Sequence, residues 1–271
     1  MIKKNLQIDV YPRSEAKSVG KQEIEKLSRQ TVQDLSMFKE RGKNVSIAIV
    51  GTGKPLVADC MKEPDLYENI SSQPDAFDED TKSYTSMVGA SLYGINDSIV
   101  KGMCPAANFF VVRAINERMK TKREDVDAAV LWALIKGADI IVLPSLVANI
   151  NEEDIIELVS LPKLIETGSC LLTLTEKKQS CQIFPRDLVM NVKWRMTNST
   201  LCSIGINNET MEVKMGLPHE RSVTFDSEGN YVFTPRSIEA ITSFAGVLAV
   251  MLSELRNKKS RAKVWDLLPS K

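Results

Sequence analysis

Four short runs of almost unbroken apolar residues constrain the fold of this chain more than any other feature. They are Val45-Ser46-Ile47-Ala48-Ile49-Val50, Asn108-Phe109-Phe110-Val111-Val112-Arg113, Asp139-Ile140-Ile141-Val142-Leu143 and Cys170-Leu171-Leu172-Thr173-Leu174. A strand with one wet face alternates apolar with polar residues, so near-continuous runs of this length read as strands covered on both sides. Helix patterns lie between them, over 83–93, from about 123 to 136 and near 151–166. Residues 21–41 add an amphipathic helix ahead of the first run, with Ile24, Leu27, Leu35 and Phe38 on its apolar face. Alternation of this kind predicts an α/β fold: a doubly wound, mostly parallel sheet with helices on both faces.

The rest of the chain extends that plan. Residues 54–82 are polar and acidic and read as a long surface loop. Shorter strands are expected near 188–193, 200–205, 222–226 and 231–234, with Ser227-Glu228-Gly229-Asn230 as a hairpin turn. A long apolar helix over 237–255 and a short one around 261–268 follow. No linker, repeat or low-complexity stretch interrupts the sequence, so residues 1–271 are read as one domain, with 1–19 as an N-terminal extension.

Charge and rare residues exclude several functions. Lys plus Arg is 35 and Asp plus Glu is 35, which leaves no net field to draw nucleic acid or an anionic membrane. No apolar run approaches the ~18 residues of a membrane span. The segment Met1-Ile2-Lys3-Lys4-Asn5-Leu6-Gln7-Ile8-Asp9 is too polar for a signal peptide's apolar core. Five cysteines, Cys60, Cys104, Cys170, Cys181 and Cys202, are widely spaced and read as free thiols in a reducing cytoplasm. His219 is the single histidine, so a mechanism needing two imidazoles is excluded.

Gly51-Thr52-Gly53 ends the first strand run, Ser83-Tyr84-Thr85-Ser86-Met87-Val88-Gly89 opens the first helix pattern, and Arg236-Ser237-Ile238-Glu239-Ala240 opens the long one. Lys101-Gly102-Met103-Cys104-Pro105-Ala106-Ala107 precedes the second strand, and Trp132 and Gly137-Ala138-Asp139 lead into the third. In order and spacing these blocks, from about residue 20 onward, resemble the subtilisin-like serine proteases. That family carries Asp-Thr-Gly after its first core strand, His-Gly-Thr-His-Val-Ala-Gly opening a helix, and Gly-Thr-Ser-Met-Ala opening the long helix. The resemblance implies the subtilisin-like fold and an ancestral serine endopeptidase activity.

Carried over residue by residue, the resemblance puts Gly51 at the aspartate position, Ser83 at the histidine position and Ile238 at the serine position. A serine nucleophile needs an imidazole to take its proton, and the imidazole needs a carboxylate to fix its tautomer. The oxyanion-stabilising asparagine would fall just after the fourth strand, where Glu176 has the wrong sign for a developing anion. The two edges that would hold a peptide read Pro144-Ser145-Leu146-Val147 and Asn116-Glu117-Arg118-Met119-Lys120, and Pro144 has no N–H to donate. From these substitutions the expectation is a pseudoprotease: not an enzyme, but a protein-binding or scaffolding module in the cytoplasm. Its partner would be another protein or a larger parent chain, since no pro-segment of family length precedes the domain. The alternative is a serine-type peptidase or hydrolase with a non-standard catalytic set, using Ser86 or a cysteine as nucleophile.

No cofactor is expected. The resemblance implies a calcium loop near Tyr93–Ile99, for which Asp59 and Asn96 are the candidate ligands, short of the six oxygens calcium wants. Gly51-Thr52-Gly53 lacks the spacing of a phosphate loop. Glu124 and Asp127 are expected to favour a helix dipole, Trp132 and Trp194 to fill the core, and the run Arg256–Arg261 to be a solvated helix end.

Overall fold

The computed structural model of the chain describes residues 7–9, 41–55, 59, 61–72, 78–81, 83–95, 100, 102–118, 120–143, 158–174, 180–184, 192–193, 195–196, 202–206, 209–211 and 223–267. Its centre is a seven-stranded sheet. We number its strands with the hairpin that follows: β1 (Ser46–Gly51), β2 (Leu66–Asn69), β3 (Asn108–Arg113), β4 (Ile140–Leu143), β5 (Cys170–Leu174), β6 (Ser180–Phe184), β7 (Val192–Lys193), β8 (Val223–Phe225) and β9 (Tyr231–Phe233). The order across the sheet is β2-β3-β1-β4-β5-β6-β7. The first five are mutually parallel, and β6 and β7 add antiparallel pairs at one edge. β8 and β9 form a separate hairpin.

The helices are α1 (Tyr84–Tyr93), α2 (Arg123–Ile135), α3 (Leu161–Thr167) and α4 (Arg236–Lys258). α1 packs against α4 and β1, and α4 against β4, β5 and β6, while α2 packs against β1, β3 and α3. Every residue of β4 and all but the first of β1 and β3 are buried. Side chains leave a strand alternately to both faces, so the sheet is covered on both. The mostly parallel α/β sheet with flanking helices is the architecture the apolar runs predicted. At its centre, Tyr93 stacks on Phe109 with ring centroids 4.1 Å apart, and its buried hydroxyl donates to Asn108 O. Gly89 on α1 lets the helix approach this pair, since a Cβ there would press on Met61 and Phe109.

Three sequence readings are corrected. Residues 54–82 are not all surface loop: β2 forms the edge strand beside β3, and Asp80 is fully buried. Of the run Arg256–Arg261, residues 257–261 are exposed as expected, but Arg256 is not a solvated end. Its guanidinium grips both carboxylate oxygens of Asp139 at 2.8 and 2.6 Å and donates to Ala262 O and Asn44 O. Asp139 in turn accepts from Ser46 N, so one ion pair joins the last turns of α4 to the starts of β1 and β4. Asp127, finally, bonds across to Ser160 N and Oγ and ties α2 to the start of α3. The helix expected near 151–166 is seen as α3, residues 151–157 lying outside the described residues, and the one around 261–268 is a 3₁₀ turn at Val264–Leu267. The helix expected before Arg41, Trp194 and His219 also lie outside them.

Candidate functional site

In an open parallel sheet, ligands bind beyond the carboxyl ends of the strands. Here that edge carries Gly51 at the end of β1, the start of α1, the turn of the β8–β9 hairpin and, after Pro235, the start of α4.

Gly51 has no room for a side chain. A Cβ there would overlap Thr85 Oγ1, so the hydroxyl of α1's second residue fills the space a side chain at 51 would need. Thr85 Oγ1 accepts from Thr52 N at 2.9 Å, and the Thr52 hydroxyl donates to Asp80 at 2.5 Å. Asp80 also accepts from Tyr84 N at 3.1 Å and Ser86 N at 2.6 Å. These are N–H groups of α1's first turn, which an α-helix leaves without internal partners. Asp80 is thus a buried carboxyl cap, reached by folding residues 78–80 alongside Lys54: Lys54 N donates to Asp78 O and Asp80 N to Lys54 O.

Burial pushes the Asp80 carboxyl above the usual carboxylate range, against the pull of donors from Thr52, Ser86 and Tyr84. No cation bonds to it among the described residues. Tyr84, fully buried, is raised well above its ordinary value, first by burial and then by the Asp80 charge.

Ser83 is the N-cap of α1, with φ 62° and ψ 10°. That left-handed conformation is uncommon for a residue with a side chain and marks stored strain. Its Oγ accepts from Ser227 N at 2.9 Å and lies 2.7 Å from Ser227 Oγ, so the hairpin turn is pinned to the helix start. Thr224 Oγ1 donates to Met87 O one turn further along. Ile238 sits in the first turn of α4, is 1% exposed, and accepts through its carbonyl from Thr242 Oγ1. α4 starts after Pro235 with no side-chain cap.

The structure therefore brings Gly51 and α1 together directly, pairs Ser83 with Ser227, and buries Ile238 in a helix that packs on α1. Glu176, Asn96, Met119 and Pro144–Val147 lie outside the described residues. Asp59 is exposed, and no group of three or more His, Cys, Asp or Glu that could hold a metal occurs among the described residues. Asn116 is buried and its Oδ1 accepts from Arg118 N and Lys120 N, which closes that edge into a turn. Of the alternative nucleophiles, Ser86 is fully buried and its Oγ meets no partner in hydrogen-bonding geometry, although it lies near enough to Asp80 to favour the ionised form. Burial pushes the Cys104 thiol up to about 12 and the Cys170 thiol well above its ordinary value, so neither is a thiolate in this state. Sequence reading missed Asp80, Thr85 and Ser227. An acidic residue shortly before a helix start is a capping signal, and it was present for Asp80.

No family model matches the sequence, and no curated protein matches it. Solved structures do. The structure of prenylagaramide maturation protease PagA aligns with a TM-score of 0.57 at 19% identity, covering 86% of this chain and 84% of that one. An alanine mutant of the protease domain of PatA aligns at 0.58 and 17%, covering 82% and 84%. Patellamide maturation protease PatA aligns at 0.55 and 18%, covering 80% and 81%. The fold is that of the subtilisin-like proteases. One expectation is overturned by these comparisons. The residues at 51, 83 and 238 suggested that the chain is not an enzyme, whereas the solved structures it resembles are those of maturation proteases. That expectation is withdrawn. Among the described residues no helix is long and apolar enough to cross a membrane.

Proposed function

We propose that this chain handles polypeptide: it holds a peptide segment at the carboxyl edge of its sheet, beside the start of α4. The observation that carries the reading is the uncapped start of that 23-residue helix at the edge where α/β folds bind ligands. Its first-turn N–H groups and the positive end of its dipole suit a peptide carbonyl or carboxylate oxygen. The likeness to maturation proteases, whose substrates are polypeptides, supports the same ligand class.

Selection of phage-displayed random dodecapeptides on the purified chain tests this. Enriched peptides should bind the wild type, and Pro235→Asp, which adds a side-chain cap and a negative charge at the helix start, should weaken them at least roughly fivefold. No enrichment over an unrelated α/β domain, or unchanged affinity in Pro235→Asp, removes the reading.

A second reading is serine-type hydrolysis by a non-standard set. It is favoured by the Ser83–Ser227 hydroxyl pair 2.7 Å apart and by the strained backbone of Ser83. Labelling by a fluorophosphonate probe, mapped by mass spectrometry to Ser83 or Ser227, is the expected result under that reading. Absence of any labelled serine counts against it.

A further inference from the structure

Outside the central sheet, the first described residues pair with the segment that leads into α2. Gln7–Asp9 runs antiparallel to Lys120–Lys122, with Gln7 opposite Lys122, Ile8 opposite Thr121 and Asp9 opposite Lys120. The two strands are far apart in sequence, so no tight turn sets this register. The strand at 120–122 is fixed from its other side. Asn116 N donates to Lys120 O at 2.9 Å, and Asn116 Oδ1 accepts from Lys120 N. Successive residues of a strand turn their backbone groups to opposite sides, so Thr121 is the residue whose N–H and C=O are turned to Ile8. Thr121 is buried and its hydroxyl donates to Ala114 O at 2.7 Å, while Ala114 N and Ile115 N both donate to Gly51 O. The strand that residues 7–9 join is therefore built onto the carboxyl end of β1, at the edge to which the proposed function assigns a peptide.

The sequence of the joining segment suits the strand it joins. An apolar residue, Ile8, stands opposite buried Thr121, and an acid, Asp9, stands opposite Lys120. Opposite charges at directly opposed positions are a favourable cross-strand pair. Three residues of pairing are few, and a two-stranded sheet is marginal on its own, so another segment of the same pattern can take this place. We infer that Lys120–Lys122 is a strand-accepting edge: it takes extended polypeptide antiparallel, with an acid opposite Lys120 and an apolar residue opposite Thr121, and residues 7–9 are its occupant within the chain. The inference rests on the peptide reading and adds to it the mode of binding, the pattern that is read and an internal competitor.

Hydrogen exchange on the full chain, with circular dichroism as a fold check, tests the pairing before any outside peptide is added. The Thr121 amide should exchange at least roughly tenfold faster in Ile8→Pro, which removes the N–H turned to Thr121, than in wild type. A labelled synthetic peptide of residues 5–11, Asn-Leu-Gln-Ile-Asp-Val-Tyr, should bind Ile8→Pro at least roughly fivefold more tightly than wild type, where the tethered segment competes, and should restore the protection. Lys120→Glu in the Ile8→Pro background should weaken that peptide, and Asp9→Lys in the peptide should recover it. Equal exchange of Thr121 in wild type and Ile8→Pro, or equal peptide affinity for both, overturns the inference. A peptide that ignores both charge reversals overturns the assigned pattern. Selected phage peptides that Pro235→Asp weakens but Ile8→Pro leaves unchanged would keep the peptide reading and overturn this edge.

Discussion

Each edge of the central sheet holds an acid, half-buried Asp139 at one and fully buried Asp80 at the other, and the two are satisfied in opposite ways. At the amino edge, Asp139 meets an arginine fork and the Ser46 amide, and Arg256 spends its remaining donors on the Ala262 and Asn44 carbonyls. Charge meets charge. At the carboxyl edge, Asp80 is held by a hydroxyl and two amides, with no cation bonded to it among the described residues. The same edge carries Ser83 with its left-handed backbone and, just before α4, the buried Thr234 hydroxyl, which has no hydrogen-bond partner among the described residues. A buried unpaired hydroxyl costs of order 1–3 kcal/mol. Strained backbone is shared, since Asn44 at the amino edge and Ser83 at the carboxyl edge both have φ 62°, so the edges differ in how each acid is held: a cation at one, uncharged donors at the other among the described residues.

The sharpest way to break this comparison is Gly51→Asp. The new side chain would overlap Thr85 and place a second carboxylate in the region of buried Asp80, so we expect a loss of about 3–5 kcal/mol in chemical denaturation. Adding Thr85→Ala should recover part of it. A Gly51→Asp variant as stable as wild type would mean the carboxyl edge is looser than the packing implies.

Ile238→Ser comes next. Removing a buried β-branched side chain and adding a hydroxyl should cost about 3 kcal/mol, or roughly 6–10 °C in melting temperature. An unchanged or higher midpoint would show that the start of α4 gains nothing from that packing. At the amino edge, Arg256→Met should cost about 2 kcal/mol, less than a fully buried pair would, because Arg256 and Asp139 both keep 17% exposure. Arg256→Lys should recover less than half, since a single ammonium cannot reproduce the fork. Equal stability of lysine and arginine would reduce the staple to a plain charge contact.

What the sequence revealed follows from how local each signal is. β1, β3, β4 and β5 are buried on both faces, and that requirement writes itself into consecutive residues. β2 is four residues at an exposed edge, with only Tyr67 half-covered, so it carries no period to read. Asp80 and Arg256 escaped for another reason. Asp80 carried a local signal, an acid four residues before the helix amide it caps, but its Thr52 partner lies 28 residues away and the Asp139 partner of Arg256 117 away, and nothing in the neighbouring sequence announces those contacts. Gly51, Ser83 and Ile238 could be placed on a strand end, a helix start and a helix first turn from the motif blocks alone. That the space at 51 is filled from Thr85 needed coordinates.

The smallest effect is also the one that separates two accounts of Asp80. Its folded-state pKa lies above the unfolded carboxylate value of about 4, with burial as the largest cause. A group shifted upward in this way favours folding while both states are protonated. That advantage is lost as pH rises from the unfolded pKa through the folded one, because the unfolded chain releases its proton first. Asp80→Asn has no proton to lose. Denaturation of both proteins from pH 4 to 8 should therefore show the asparagine variant gaining on wild type as pH rises, the gain beginning at the unfolded value and ending at the folded one. The opposite sign, wild type gaining on Asp80→Asn, would mean that the Thr52 hydroxyl and the two helix amides hold the carboxylate more strongly than burial penalises it. Asp80 would then be a satisfied cap, and the carboxyl edge would differ from the amino edge in the kind of partner it uses but not in how well its acid is held.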